Sequence, residues 1–272
     1  MTAYLLGLMI AAAPPPERQK ALRDEKLGQT VDFYRRSFPV RPGKEWTTIY
    51  LQRIGDFSPA KQKVLEATAD YVARFFGLPV KLAPALSSSE IPASARRLHP
   101  DWGVPQILTT YVMNEVLKPR RPKDAVAYIG FTAEDLWPGE GWNFVFGQAS
   151  LYDRVGVWSL NRFGDPSRSK AEFRLVLLRA LKTAVHELSH MLGLHHCVAF
   201  ECVMNGTNHM QESDSRPLEL CPLCLQKVAW NTGVDSMTRF QKLLELDEKH
   251  GLKAEAAYVR KALRILRSAS HP

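Results

Sequence analysis

The order strand, helix, strand, helix, strand predicts an α/β fold. Three observations carry this reading. An unbroken apolar run from Asp124 to Phe131 (DAVAYIGF) suits a central strand buried on both faces. Apolar residues at helical spacing follow Ser58-Pro59. A long helical pattern covers Ala171 to Leu192 and is closed by Gly193.

Residues 1–44 form an N-terminal arm rich in Pro, Arg and Lys. Within it, residues 4–13 (YLLGLMIAAA) are apolar and run into three prolines. This resembles a signal-peptide core, yet no Lys or Arg precedes it and the prolines sit where cleavage would fall. A packed N-terminal segment is the other reading. Thr47 to Arg53 (TTIYLQR) is β-branched and aromatic, and reads as a strand. Ser58 caps a helix with Pro59 at its first turn. Val64, Leu65, Thr68, Ala69, Val72, Phe75 and Phe76 form its apolar stripe, and Gly77 ends it. Leu78 to Leu82 is a short strand, and Ala83 to Pro100 reads as loop. Gln106 to Leu108 makes a brief strand, and Tyr111 to Leu117 a helix halted by Pro119 and Pro122. Asn143 to Ser150 and Val155 to Leu160 are two further strands. After Gly193 the chain turns rich in Cys, Asn, Gly, Asp and Pro as far as Leu223. Two amphipathic helices, Asp235 to Lys249 and Ala254 to Arg267, close it.

The bulk properties exclude several classes. With 272 residues, 45% hydrophobic and 24% charged, the chain can bury a core without staples. No apolar run after the N-terminus reaches the ~18 residues of a membrane span. The net charge of +8 favours anionic partners in general. Its Lys and Arg are scattered among acids, so nucleic acid is not the expected partner.

The chemistry concentrates in His186-Glu187-Leu188-Ser189-His190-Met191-Leu192-Gly193-Leu194-His195-His196. On a helix, His186 and His190 are i and i+4, so both imidazoles leave one face a turn apart. Two ring nitrogens can then reach one zinc ion at about 2.0–2.1 Å. Glycine takes positive φ at little cost, so Gly193 lets the chain turn back and bring His196 as third ligand. The spacing H-E-x-x-H-x-x-G-x-x-H chooses His196 over its neighbour His195. A catalytic zinc wants three protein ligands and one open position. Glu187 points off the ligand face, placed to act as general base on a zinc-activated water. The predicted reaction is peptide-bond hydrolysis without a covalent intermediate, on a peptide or protein substrate. Ser189 reads as an ordinary helix residue.

All four cysteines follow at once: Cys197, Cys202, Cys221 and Cys224. The pattern C-x4-C, a longer loop, then C-x2-C predicts a tetrahedral structural zinc. Two disulfides are the alternative if the chain is secreted. Zinc-bound thiolates instead point to a reducing, cytoplasmic location. The expected cofactor is therefore Zn2+, two per chain, one catalytic and one structural. A zinc-ribbon nucleic-acid module is the rival reading of the same cysteines, and a zinc protein without catalysis is another. Glu201, Glu212, Asp214 and Glu219 in the cysteine loop argue against the first, and Glu187 against the second.

These residues together resemble the archaemetzincins (archaelysins), a metzincin-like family of zinc peptidases. The resemblance rests on His186 to His196 joined directly to Cys197, then Cys202-Val203-Met204, then Cys221-Pro222-Leu223-Cys224. It extends over Trp142 to Ser150, Asn205 to His209 and Arg216 to Leu218, within a span from about Trp46 to Trp230. It implies a metzincin-like α/β (α+β) fold, with a twisted mixed sheet, flanking helices and an active-site helix. A smaller C-terminal part below the cleft would be stapled by the four-cysteine zinc. The catalytic domain would span 45–230, its upper part ending at Gly193 and its lower part covering 194–230. Helices of 231–272 would pack on it. The resemblance makes Met204 the floor of the site in a Met-turn, and allows an aminopeptidase-like action on small peptides. The strand near Phe144 to Ala149 is expected to receive an extended peptide by strand addition. His99, His209, His250 and His271 receive no role from spacing.

Overall fold

The apolar run beginning near Asp124 becomes a strand buried at every position, Ala125–Thr132. It belongs to a computed structural model that describes residues 28–150 and 152–269. The apolar stretch at residues 4–13 and the first part of the arm lie outside the described residues. The strands are β1 (Thr48–Ile54), β2 (Val80–Leu86), β3 (Arg96–Leu98), β4 (Pro105–Leu108), β5 (Ala125–Thr132), β6 (Asp135–Trp137), β7 (Gly147–Ala149) and β8 (Val155–Ser159). The helices are α1 (Val31–Arg36), α2 (Pro59–Phe76), α3 (Lys170–Met191), α4 (Met210–Ser215), α5 (Pro222–Thr232), α6 (Ser236–His250) and α7 (Lys253–Ala269).

The chain divides into two units. The sheet unit comprises Val40–Ala73 and Leu78–Met191. Its five-stranded sheet has the order β2-β1-β5-β8-β7. β1 pairs in parallel with β2 and β5, and β5 in parallel with β8. β7 joins antiparallel to β8 at the edge, which makes the twisted sheet mixed. The fold is thus the α/β (α+β) arrangement expected. Ile54, Tyr128, Val155 and Val157 of this sheet share one hydrophobic cluster with Val112, Met113, Val116 and Leu117. Each such fully buried side chain contributes about 1.5–3 kcal/mol. Helix α3 lies against β7 and β8 and buries Leu177, Leu181, Val185, Leu188 and Met191. A three-stranded sheet, β3-β4-β6, stands beside it. Its buried Asp135 is held by Arg162 at 2.7 Å and by Gln106 Nε2 at 2.8 Å.

Of the described residues, the second unit takes those up to Pro39, Arg74–Gly77, and those from Leu192 onward. Here α6 and α7 form a hairpin around Gly251, whose φ of 68° caps α6. Asp235 starts α6 by accepting from the Thr238 N–H at 2.8 Å. Phe240, Leu243 and Leu246 of α6 and Val259, Leu263 and Leu266 of α7 are buried, as their amphipathic pattern requires. Arg239 is fully buried; it bridges the Glu219 carboxylate at 2.8 Å and the Phe75 carbonyl at 3.0 Å.

Several elements differ from the sequence reading, among them the segment Ala83 to Pro100, read as loop, which carries the end of β2 and the strand β3, paired with β4. The strand expected over Asn143 to Ser150 shrinks to Gly147–Ala149, because Val145 instead bridges Leu136 of β6. The helix expected to stop before Pro119 continues to Arg120 through a π-helical stretch at Val112–Leu117. Such a widened turn shifts the hydrogen-bond register, so a proline without an N–H is accommodated. α5 was hidden in the cysteine-rich loop, although Pro222 at its first turn is a helix-start signal. α1 stands in the arm, with Thr30 accepting from the Phe33 N–H at 3.1 Å.

Candidate active site

Helix α3 carries His186, Glu187 and His190 in its last two turns. The i, i+4 spacing sets the two imidazoles edge to face, 4.6 Å apart, with their Nε2 atoms 3.0 Å from one another. Tetrahedral ligation at about 2.0–2.1 Å separates nitrogens by about 3.3 Å, so this pair fits one zinc. Gly193 ends the helix with φ +87°, and a Cβ there would stand 2.7 Å from Pro39 Cβ. Only glycine suits both the backbone angle and the close approach. His186 and His190 thus stand side by side on α3, and His196 follows the turn three residues after Gly193.

His196 is exposed, as is His195. Partial desolvation and the neighbouring His195 both lower the His196 pKa, which favours the neutral ligand form. Gly206 packs against its ring: a Cβ there would meet Nδ1 at 3.2 Å. Glu187 is partly buried. Loss of water pushes its carboxyl pKa up, and His190 opposes the shift. Gly147 of β7 leaves the room Glu187 needs; a Cβ at Gly147 would stand 3.4 Å from Glu187 Cγ and 2.8 Å from Trp158 Cβ. Ser189 is buried within the helix, in keeping with an ordinary helix residue.

The cysteines form the second cluster, with all four Sγ atoms within 4.8 Å. All are free thiols, not disulfides. Cys197 and Cys221 Sγ lie 3.7 Å apart. Four sulfurs at about 2.3 Å from a tetrahedral zinc are separated by about 3.8 Å, so the donor set fits. S–H groups of Cys202, Cys221 and Cys224 bond to Cys197 and hold it far down towards thiolate. Burial and the neighbouring sulfur raise Cys202, and the sulfurs around it raise Cys224. Mutual repulsion is thus what a divalent cation at the centre would relieve.

Asn205 organises the loop between the clusters. Its Nδ2 donates to the Cys197 carbonyl at 2.7 Å and the Phe200 carbonyl at 2.9 Å, and its Oδ1 accepts from the Cys202 N–H at 3.0 Å. Met204, buried completely, sits in the same turn, its carbonyl accepting from the Cys197 N–H at 2.7 Å. Spacing alone could not select Asn205, though an Asn-Gly pair is a turn signal. His209 is a helix cap, its Nδ1 accepting from the Glu212 N–H at 3.2 Å. His99 stacks on Trp102 at 3.8 Å in the sheet unit.

The profile described as peptidase family M54 matches residues 123–230. Archaemetzincin-2 of Mus musculus is 35% identical over 243 residues, covering 78% of this chain and 67% of that protein. Archaemetzincin-1 of Homo sapiens is 32% identical over 226 residues, covering 72% of this chain and 45% of that protein. Among solved structures, an archaemetzincin from Archaeoglobus fulgidus, complexed with malonate, matches with a TM-score of 0.52 and 28% identity. It covers 66% of this chain and 99% of its own. An archaemetzincin from Methanopyrus kandleri matches with a TM-score of 0.53 and 26% identity, over 70% of this chain and 97% of its own.

Proposed function

The chain belongs to the archaemetzincin family of zinc metallopeptidases (peptidase family M54), and on that premise we propose that it holds two zinc ions with separate tasks. His186, His190 and His196 are the ligands of the catalytic ion. Cys197, Cys202, Cys221 and Cys224 are the ligands of a structural one. The observation that carries the reading is the pair of imidazoles of His186 and His190, set edge to face on α3 with the Glu187 carboxylate on the same helix.

When bound there, zinc is a Lewis acid that polarises a peptide carbonyl and makes water more acidic. Glu187 takes the proton of the attacking water on a carboxylate oxygen. It then returns that proton to the departing amine nitrogen. Met204 is buried in the turn that follows Cys202, and Gly206 leaves space for the His196 ring, which a Cβ there would meet at 3.2 Å. The substrate is an extended peptide that adds to the free edge of β7. The ladder bonds Ser159 N–H to Phe146 O and Ser150 N–H to Val155 O alternate along β7. Gly147 and Ala149 therefore turn their backbone groups away from β8, towards that free edge. Small peptides with a free N-terminus are the class of substrate we assign. A cluster of free thiols suits a reducing, cytoplasmic compartment.

The test is zinc per chain together with peptide cleavage, for the native protein and Glu187→Ala. Two zincs in both, with cleavage in the native protein alone, is the expected result. Equal cleavage by both would remove Glu187 from the mechanism. Preference for N-terminally blocked peptides would remove the aminopeptidase assignment.

A further inference from the structure

Helix α3 ends at Met191, so its last carbonyls lack helical partners. The two carbonyls just beyond it, of Leu192 and Gly193, take their donors from a segment remote in sequence. Tyr34 Oη donates to the Leu192 carbonyl at 2.7 Å, and Gln29 Nε2 to the Gly193 carbonyl at 2.9 Å. The other end of the same amide, Gln29 Oε1, accepts from the His195 N–H at 3.2 Å. Gln29 therefore spans the turn on both sides of Leu194, one residue short of His196. Tyr34 is fully buried and Gln29 nearly so. Gly28 lets this segment come close, since a Cβ there would lie 3.0 Å from Val198 Cγ2.

The segment is held in turn by α5. Lys227 Nζ donates to the Gln29 backbone carbonyl at 2.5 Å and reaches Gln29 Oε1 at 3.3 Å. Asn231 Nδ2 donates to Tyr34 Oη at 2.7 Å. Lys227 and Asn231 are i and i+4 on one face of α5, and both are buried. The same helix carries Cys224 in its first turn. A continuous path thus runs from the cysteine cluster through α5 to Gln29 and Tyr34, and from them to the backbone that leads into His196.

We propose that Gln29 and Tyr34 are positioning residues for the catalytic centre: they clamp the turn at Leu192–His195 so that His196 is presented as a metal ligand. The clamp uses residues outside the matched family segment 123–230. It rests on the assignment of His196 as a zinc ligand made above. Neither residue touches the reacting atoms, so their effect is on ligand geometry and metal retention. Outer partners that orient metal ligands are typically worth about 10–100-fold in metal affinity or activity.

The discriminating variant is Gln29→Glu. It keeps an oxygen for Lys227 and for the His195 N–H, but replaces the donor to Gly193 O with an acceptor. Zinc transfer to a chromogenic chelator, the visible spectrum of the cobalt(II)-substituted protein, kcat, KM and thermal midpoint would be measured on the full chain. Native protein, Gln29→Glu, Tyr34→Phe and His196→Ala would be compared. The expected result for Gln29→Glu is a near-native thermal midpoint, about tenfold faster loss of one zinc, a shifted cobalt spectrum, and a lower kcat at unchanged KM. Tyr34→Phe should act in the same sense and more weakly. Native zinc retention and a native cobalt spectrum in Gln29→Glu would overturn the clamp while leaving the ligand assignment intact. Equal loss of both zincs with a collapsed thermal midpoint would overturn it too, assigning Gln29 a merely structural role. If His196→Ala lost no zinc, the ligand assignment would fail, and the clamp with it.

Discussion

The histidine cluster and the cysteine cluster adjoin in the chain, at His196 and Cys197, yet their surroundings are opposite. Two of the histidines are partly buried and the third is exposed. Three of the four cysteines are buried and the fourth is partly so. The histidine set offers three imidazole donors. The cysteine set offers four sulfurs and closes on itself. An open three-ligand site can do chemistry, while a closed four-ligand site can only hold the chain. One stretch of sequence therefore carries two donor sets that differ in donor number and burial.

The sharpest way to break this comparison is Glu187→Gln. Cleavage should fall by about 10²–10⁴-fold, with zinc content unchanged. Steady-state kinetics and metal analysis on the same sample check it. An equal effect from a cysteine variant would erase the distinction. Cys224→Ser should instead act on stability first: one zinc is lost and the thermal midpoint falls steeply, because binding free energy at such sites is folding free energy. Chelator-dependent melting curves would show it.

Smaller effects sharpen the boundary. Gly206→Ala places a Cβ 3.2 Å from His196 Nδ1. It should weaken zinc at the histidine site by roughly tenfold and leave the cysteine site alone, as read by competition with a chelator. Ala149→Pro removes an edge N–H without breaking the pairing to β8. It should raise KM for peptides by a few fold, a loss of about 1 kcal/mol or less, with zinc retained.

The smallest effect lies in α6. Asp247 is fully buried, and neither of its carboxylate oxygens has a hydrogen-bond partner among the described residues. Burial first, then Glu219 and Glu255, raise its pKa to about 8, with Arg239 opposing. A carboxyl whose folded pKa is raised holds its proton more tightly when folded. Its contribution to stability is therefore present at low pH and is lost as the pH climbs from about 4 towards 8. Asp247→Asn should raise the thermal midpoint at pH 8 and change it little at pH 4. An equal gain at both pH values would show that charge is not the cause.

Much of this was legible in the sequence for one reason: the signals were local. The i, i+4 histidines needed only a helix, and the apolar stripe of α3 announces one. Gly193 announced the turn because positive φ is a property of that residue alone. The buried run at β5 and the amphipathic patterns of α6 and α7 were read for the same reason. What stayed hidden was set by neighbours distant in the chain. The strand at β7 is shortened because Val145 turns to Leu136. α5 was masked by the cysteine-rich texture around it. Neither Arg239 nor Gln29 carries any pattern that marks it. Each acquires its role from a carbonyl or carboxylate that is remote in sequence.

The sequence by itself determined the donor types, their spacing and the helix that displays two of them, because periodicity and backbone preference act over a few residues. It could not determine which donors are buried and which are exposed. Nor could it say which groups receive the carbonyls left at the end of α3. Burial and hydrogen-bond satisfaction depend on which distant segment arrives, and only the tertiary structure brings Gln29, Tyr34 and α5 to that turn.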